Sequence, residues 1–409
     1  MQPGLILYNA LTSTYSLKSI ILVTWGLVLF TLPLPHIPTN SRLIILLFLL
    51  SIFYFLKNKP REIRYIKFHL YYLIPFLVAV ISLILVSNQN IDVMEKELAI
   101  VAFPLITFFL LNGNFSITLK EYHILLLFFA TSVLSVLLFT YIRSFFYSKD
   151  FFSRNFLTFE IAHPTYFSLY CGVVILIIVE FVKHSYFKKC KPLPYILIIG
   201  ILTYMTLLSS RMPLIATIIV LLYSIFFNRA SLRKKIMYGV VMTLLGIVLV
   251  TIIKNSPRLE YRFILALEKN VNTRLVSWTA SLEIFKDYPL FGTGTGANQL
   301  HLDNYYKKNI ESPQDFIDKN SHNYFLHILV TFGVVGALLF AFFWFTVIKK
   351  ALHPHHDLTI KILLLYLLCS LTEVLSAKQK GIVFLYLFYS LYLLWATLKD
   401  SYPERRTLE

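Results

Sequence analysis

Two arginines and one histidine offer the most specific chemistry in this sequence. Arg211 lies between two apolar runs in LLSSRMPLIATIIV, Arg274 lies in TRLVSWTASLEIF, and His322 directly precedes an apolar run in DKNSHNYFLHILVTFGVVG. A guanidinium keeps its charge and donates paired hydrogen bonds to phosphate, and a neutral imidazole can act as a general base. Two cations and one base at a membrane surface suit a lipid-linked pyrophosphate substrate. The alternative for Arg211 is a structural side chain that snorkels from a short outer turn to the lipid headgroups.

Three other residues carry weaker signals. His163 precedes Pro164, a pattern typical of a helix start, so a local structural role and a place near the site are both open. Gly294 is the centre of GTGTG, which lacks the Lys-Ser/Thr ending of a nucleotide-binding loop and predicts a tight turn that folds the chain back over the bundle. His327 lies within the apolar run and is interpreted as a packed or hydrogen-bonded helix residue.

The stretch HLDNYYKKNIESPQDFIDKN is polar and carries charges of both signs. Its acidic residues and one histidine could form a carboxylate or metal site, but their spacing matches no common ligand pattern. We therefore predict a solvated loop and expect neither a metal nor another cofactor. The residues concerned are His301, Asp303, Glu311, Asp315 and Asp318.

The composition indicates the class of protein in which these residues act. Of 409 residues, 57% are apolar and 14% are charged, against about 25% charged in soluble globular proteins. Several apolar runs approach or exceed the length that a helix needs to cross a bilayer, roughly 17 to 20 residues. The net charge of +17 resides in short loops rather than in a basic domain, so nucleic acid is not an expected partner. The predicted fold is all-α, a polytopic membrane protein in contact with membrane lipids.

The apolar runs predict twelve transmembrane helices. The expected bounds are 18–35, 42–56, 69–87, 97–112, 123–145, 166–183, 195–209, 212–228, 236–254, 323–348, 361–376 and 381–398. An even number places both termini on the same side. The basic loops KNKPREIRYIK, KHSYFKKCK and RASLRKK share that side, which the positive-inside rule predicts to be cytoplasmic.

The opposite, non-cytoplasmic face carries the dominant connection, residues 255–322. A connection of that length far exceeds ordinary loops and indicates a functional or folded segment. The predicted organisation is nine spans in residues 1–254, this long and partly helical outer loop, three spans in residues 323–398 and a cytoplasmic tail in residues 399–409.

The most structured part of the outer loop is an amphipathic helix. Its apolar residues recur at three- and four-residue steps, namely Leu275, Trp278, Leu282 and Phe285. A start at Asn272 or Thr273 would place Arg274 in the first turn, where the helix dipole disfavours a cation. We therefore expect an anionic partner for Arg274.

These segments together resemble the O-antigen ligase superfamily, which also contains O-antigen polymerases and protein O-oligosaccharyltransferases. The resemblance rests on SSRMPL around Arg211, on TRLVSWTASLEIFKDYPLFGTGTG around Arg274, on SHNYFLHILVTFGVVG around His322 and on HPTYFSLY at His163. The motifs extend over most of the second half of the chain. In the rest of the chain, the resemblance rests on the predicted twelve-span topology.

The resemblance implies a glycosyltransferase of the O-antigen ligase type. A glycan would pass from undecaprenyl pyrophosphate to a sugar hydroxyl of lipid A-core, at the periplasmic face of the inner membrane of a Gram-negative bacterium. His322 matches the histidine proposed as the base, and Arg211 and Arg274 match arginines that hold the donor pyrophosphate. Direct displacement with inversion and without a metal would fit one base and no enzymic nucleophile.

Two other functions stay open at this point. An O-antigen polymerase would use the same donor, although one dominant outer loop and a short tail favour a ligase. A transporter or flippase of lipid-linked glycans would place its essential charges in the middle of the spans. Glu180, Glu373 and Lys378 would then be the residues of interest.

Overall fold

Apolar runs and the polar residues between them set the boundaries of the helices. The computed structural model describes residues 14–34, 37–58, 63, 70–85, 94–147, 163–226, 267–352 and 357–401, with isolated positions between 236 and 261. Within these ranges the chain forms helices and no strand, as the all-α prediction required. The predicted ninth span, the connection before His163 and most of the tail lie outside the described residues.

Thirteen helices of twelve residues or more lie within the described residues. They are α1 Thr14–Thr31, α2 Ile37–Asn58, α3 Ile74–Leu85, α4 Met94–Asn112, α5 Leu119–Tyr147, α6 Pro164–Lys183, α7 Leu193–Leu207, α8 Arg211–Phe226, α9 Leu267–Asp287, α10 Asn298–Asn309, α11 Tyr324–Ala351, α12 Asp357–Ser370 and α13 Gln379–Ser401. Short 3-10 turns occupy Pro313–Asp315 and Leu375–Ala377.

Five of the described helices are long and apolar enough to cross a membrane. They contain the segments Pro38–Asn58, Leu119–Phe146, Pro164–Lys183, Tyr324–Ala351 and Gln379–Ala396. Helices α1, α4, α7 and α8 are apolar but shorter in their described parts. The chain is thus a helical membrane protein, whereas the number of twelve spans and the side on which each loop lies stay predictions.

Helices α6 and α13 form the centre of the bundle. Both are apolar on all sides, and their residues are almost entirely buried, as expected for helices surrounded by other helices. Helix α6 packs against α5, α7, α8 and α12, while α13 packs against α4 and α12. Tyr170 of α6 stacks on Phe384 of α13, with ring centroids 5.5 Å apart. The remaining helices surround this pair.

Helix α11 is broken at Gly333, where the backbone has φ 63° and ψ −165°. Such a break leaves carbonyl and N–H groups without partners inside the helix. The segment 289–294 supplies those partners. Thr293 N donates to Val330 O at 2.8 Å and Gly294 N donates to Thr331 O at 3.0 Å, while on the other side of the break two N–H groups of α11 donate to carbonyls of this segment. The glycine run therefore folds back over the bundle, as its composition predicted.

Two of the predicted helix boundaries that proved wrong bear on the candidate site. Helix α9 begins at Leu267, because Leu, Glu and Lys residues that favour helices precede Asn272. Arg274 therefore lies in the third turn, and the argument from the helix dipole does not apply to it. Helix α12 ends at Ser370, six residues before the predicted end, so Glu373 lies in a connection rather than in a span.

The break at Gly333 gives a test of how segment 289–294 is held. A Cβ at Gly333 would overlap Leu290 O, and φ there is positive, so Gly333→Ala adds a steric clash to backbone strain. We expect a loss of about 2 to 5 kcal/mol in the free energy of unfolding, measured by denaturation in detergent. Gly200→Ala is the control, because a Cβ there meets nothing within 4 Å. Equal stability of the two variants would contradict this account of the break.

Candidate catalytic site

His322 is held in a strained backbone conformation at the entrance of α11. Its φ is 45°, in the left-handed region that residues other than glycine seldom occupy. Its N–H donates to Asn320 Oδ1 at 2.9 Å. The next residue, Asn323, caps the helix by accepting from two N–H groups of its first turn. These local bonds fix the position of the imidazole, and stored backbone strain of this kind is typical of functional positions.

The carboxylate of Glu373 lies beside this imidazole. Glu373 Oε2 is 3.6 Å from His322 Nδ1, slightly beyond hydrogen-bond length, and Nδ1 is buried with no hydrogen-bond partner among the described residues. Glu373 Oε1 is 3.9 Å from Nη2 of Arg274. One carboxylate thus lies between the candidate base and one of the two candidate donor-binding arginines.

The connection that carries Glu373 is held by α6 and α13. The hydroxyl of Tyr166 donates to the carbonyls of Val374 and Leu375, at 3.3 and 3.1 Å. Gly381 allows the close approach of α13, because a Cβ there would lie within van der Waals distance of Leu375 O and force it aside. Polar backbone groups in this buried turn therefore have partners, and the carboxylate has a fixed place.

The two arginines lie on different helices but act on one another. Arg211 is the first residue of α8, after Ser209 with its positive φ, and Arg274 lies in α9. The charge of Arg274 acts on Arg211. Arg211 has no acidic side chain within ion-pair distance in the part of the chain that the structure describes, whereas Arg274 faces Glu373. Two guanidinium groups against one carboxylate leave a net positive site, which suits an anion.

The structure places the other sequence candidates elsewhere. His163 caps the start of α6 with its backbone carbonyl and lies edge-on to Tyr166, with ring centroids 6.1 Å apart. Gly294 takes part in bridging the break in α11, with φ 90°. His327 is hydrogen-bonded to Asn298, at 2.8 Å from Nδ1 to the amide nitrogen. His163 therefore lies beside Tyr166, and Gly294 supports α11.

Asp303, in the polar stretch that begins at His301, stabilises local structure. Asp303 Oδ1 accepts from Gln299 Nε2 and from the backbone N–H of Asp318, both at 3.0 Å. Among the described residues, no group of three or more His, Cys, Asp or Glu side chains is arranged to hold a metal ion. His301 of α10 contacts the ring of Tyr288 at 5.0 Å between centroids, and burial lowers the pKa of its imidazole.

Glu373 is the residue whose role the sequence did not reveal. It was considered only as a charge for a transporter, in a span that proved to end earlier. The sequence did indicate that Glu373 has a partner, because an isolated carboxylate between two apolar runs is costly without one. Its partners, His322 and Arg274, are distant in the sequence.

One comparison with known proteins bears on this cluster. Residues 196–341 match the family model Wzy_C, described as O-antigen ligase. The matched segment includes Arg211, Arg274 and His322 but ends before Glu373. None of the curated proteins matches the chain. The match supports the resemblance to the O-antigen ligase family for the part of this membrane protein that carries both arginines and the histidine.

Proposed function

We propose that this protein is an O-antigen ligase. It transfers a polysaccharide from undecaprenyl pyrophosphate to a sugar hydroxyl of lipid A-core at the periplasmic face of the inner membrane. The observation that carries the proposal is the cluster of His322, Glu373, Arg274 and Arg211. This cluster combines a base, a carboxylate that orients it, and a net positive charge beside them.

The arginines bind the donor. The pyrophosphate of a lipid-linked glycan is a dense anion, and a guanidinium offers it two parallel N–H groups. Arg211 has no competing acidic partner among the described side chains, so its charge is available to the substrate. The fixed guanidinium groups also stabilise the negative charge that grows on the leaving pyrophosphate, because they are already in place when the bond breaks.

Glu373 positions the base. A carboxylate that faces Nδ1 favours the imidazole tautomer with its proton on that nitrogen. The other ring nitrogen, Nε2, is then free to accept a proton from the acceptor hydroxyl. The distance of 3.6 Å between Glu373 Oε2 and His322 Nδ1 shortens to a hydrogen bond with a small shift of either side chain. Catalytic contacts are often this long without substrate.

The reaction is a single displacement. The acceptor hydroxyl oxygen forms a bond to the anomeric carbon as its proton passes to Nε2 of His322. The bond from that carbon to the pyrophosphate oxygen breaks, and its electron pair leaves with undecaprenyl pyrophosphate. The anomeric configuration inverts, and the proton then passes from His322 to water or to the leaving group. Every group needed for this step belongs to the chain, and no metal is required.

A genetic test separates the ligase from a polymerase and tests the base. In a strain that lacks the gene, full-length polymer should collect on the lipid carrier while lipid A-core stays bare. The wild-type gene should restore the polymer on the core. His322→Ala should fail to do so, since loss of a general base lowers the rate by roughly 10² to 10⁴ fold. The measurement is electrophoresis of lipopolysaccharide together with the lipid-linked pool.

His301→Ala is the matched control for this test. It removes another imidazole of the same connection, one whose pKa burial lowers, and it should restore the polymer fully. Single repeats on the core in the deletion strain would identify a polymerase instead. Normal ligation by His322→Ala, at wild-type protein levels, would reject the assignment of the base.

The arginines give the second prediction. Lysine keeps the charge but loses the paired donors, and a charge-assisted hydrogen bond contributes about 1.5 to 3 kcal/mol. Arg211→Lys and Arg274→Lys should therefore lower the transfer rate by roughly tenfold to over a hundredfold, since ~1.4 kcal/mol corresponds to one decade. The measurement is transfer by purified, folded protein, with the affinity for an undecaprenyl pyrophosphate analogue.

Arg42→Lys serves as the control for the arginine series. Arg42 is exposed on α2, so its replacement should leave both quantities unchanged. Wild-type rates in both site variants would show that paired recognition of the pyrophosphate is wrong. Reduced protein stability with unchanged donor affinity would assign the two arginines a structural role.

A further inference from the structure

Helix α9 turns its apolar stripe, residues Leu275, Trp278, Leu282 and Phe285, away from the helices against which it packs. Leu275 and Leu282 are 50% and 45% exposed, and the two aromatic rings are partly exposed. The side of α9 that packs against α10 and α11 is made mainly of small residues, which allow helices to approach closely. The stripe is therefore available to a partner outside this packing. The buried residues on the packed side are Ser277, Ala280, Ser281 and Ile284.

A third side of α9 is polar. At 3.6 residues per turn, Asn272, Thr279 and Glu283 project about a quarter turn from the stripe, on the side away from the packed face. Glu283 Oε1 and Lys286 Nζ form an ion pair at 2.7 Å, and both side chains are exposed. The helix thus has one face packed on protein, one charged face and one apolar face. An apolar face beside a charged face is typical of helices that lie in the membrane interface.

The exposed apolar surface continues along the chain, beyond the end of α9, to a face of α11. Leu290 and Phe291 are both exposed. Val335 N donates to Leu290 O at 3.2 Å, so Leu290 lies beside Val334 and Val335, which are exposed as well. Helix α11 is long and apolar enough to cross a membrane, and lipid surrounds the exposed apolar residues of such a helix. This continuity identifies lipid as the occupant of the stripe.

Arg274 lies at the edge of the stripe, where the stripe meets the packed face. It precedes Trp278 by four residues and is therefore its neighbour on the helix surface. A long arginine side chain can carry its charge from an apolar surface to the level of the lipid headgroups. The pyrophosphate of a lipid-linked donor also lies at that level, because its hydrocarbon tail stays within the leaflet. A stripe held in lipid would thus set the depth of Arg274 relative to the donor.

We propose that α9 lies in the membrane interface, with its apolar stripe among the acyl chains of the phospholipids in the leaflet next to the candidate site. The apolar face of such a helix typically enters roughly 5 to 10 Å into the boundary between headgroups and acyl chains. The contact with phospholipid does not depend on any reaction. Only its consequence for Arg274 rests on the proposed function.

Fluorescence quenching tests the contact on the full-length protein in vesicles of phosphatidylethanolamine and phosphatidylglycerol, without polyprenyl lipid. Cys190→Ser removes the exposed native thiol, while Cys171 and Cys369 are buried. In this background, Leu275→Cys and Leu282→Cys each carry a fluorophore. Phospholipids brominated on their acyl chains should abolish most of the emission of both labels, and iodide in the water should have little effect.

Asn272→Cys is the matched control, because Asn272 belongs to the polar side of the same helix and is exposed. Its label should show the opposite pattern, with quenching by iodide and little by brominated lipid. Iodide quenching of the stripe labels to the same extent would overturn the proposal. Shielding of the stripe labels from both quenchers would also overturn it and indicate a protein partner. Lipid quenching that disappears when an undecaprenyl pyrophosphate analogue is added would assign the stripe to the donor's own tail instead.

A second measurement tests the consequence for the donor. The double variant Leu275→Asn and Leu282→Asn keeps the packed face of α9 and weakens its hold on lipid. In vesicles it should raise KM for the lipid-linked donor by roughly tenfold, with kcat near wild type. Lipid quenching in a protein without transferase activity would uphold the membrane contact and refute the ligase. Transfer with an unchanged KM in the double variant would uphold the ligase and refute the effect of the contact on Arg274.

Discussion

The position of one carboxylate governs the candidate site. Glu373 lies 3.6 Å from the imidazole of His322 and 3.9 Å from the guanidinium of Arg274. It lies between the candidate base and a guanidinium proposed to bind the donor. In the proposed mechanism it orients the imidazole and partly neutralises the guanidinium until substrate arrives. A half-buried ionised carboxylate is costly without such partners, so the three groups depend on one another. Removing Glu373 would leave two mutually repelling guanidinium groups and an imidazole with no fixed tautomer.

The surrounding fold keeps these three side chains in place. Tyr166 and the close approach at Gly381 hold the connection that carries Glu373. Segment 289–294 makes backbone hydrogen bonds with the residues of α11 on both sides of the break at Gly333. Because this segment follows α9, the helix of Arg274 and the helix that begins at Tyr324, just after His322, are fixed relative to each other. Irregular backbone within a membrane protein is tolerated where the protein itself satisfies the polar groups, and here it also aligns the site.

The sequence predicted the parts of this arrangement that local patterns determine. Apolar runs located the helices. His322, Arg211 and Arg274 were proposed as site residues because charged or titratable groups beside such runs are costly unless they have a partner or a function. The role of Glu373 could not be predicted, because its partners come from segments about fifty and one hundred residues away and only tertiary packing unites them. The early end of α12 was missed for a related reason. Residues 371–376 are apolar enough to continue a span, but in the structure the Tyr166 hydroxyl donates to the carbonyls of Val374 and Leu375 and stabilises a turn there. The start of α9 was misplaced because Asn272 resembles a cap that stronger helix formers override.

The most direct test of the central claim is a double-mutant cycle on His322 and Glu373. Transfer rates are measured for His322→Ala, Glu373→Gln and the double variant, at matched amounts of folded protein, together with the affinity for the donor analogue. If Glu373 acts through the imidazole, the double variant should be no slower than His322→Ala alone, because residues that act as a unit are not additive. Donor affinity should hold or rise in Glu373→Gln, since the charge that competes for Arg274 is gone. Losses that multiply in the double variant, or a wild-type rate in Glu373→Gln, would contradict the account.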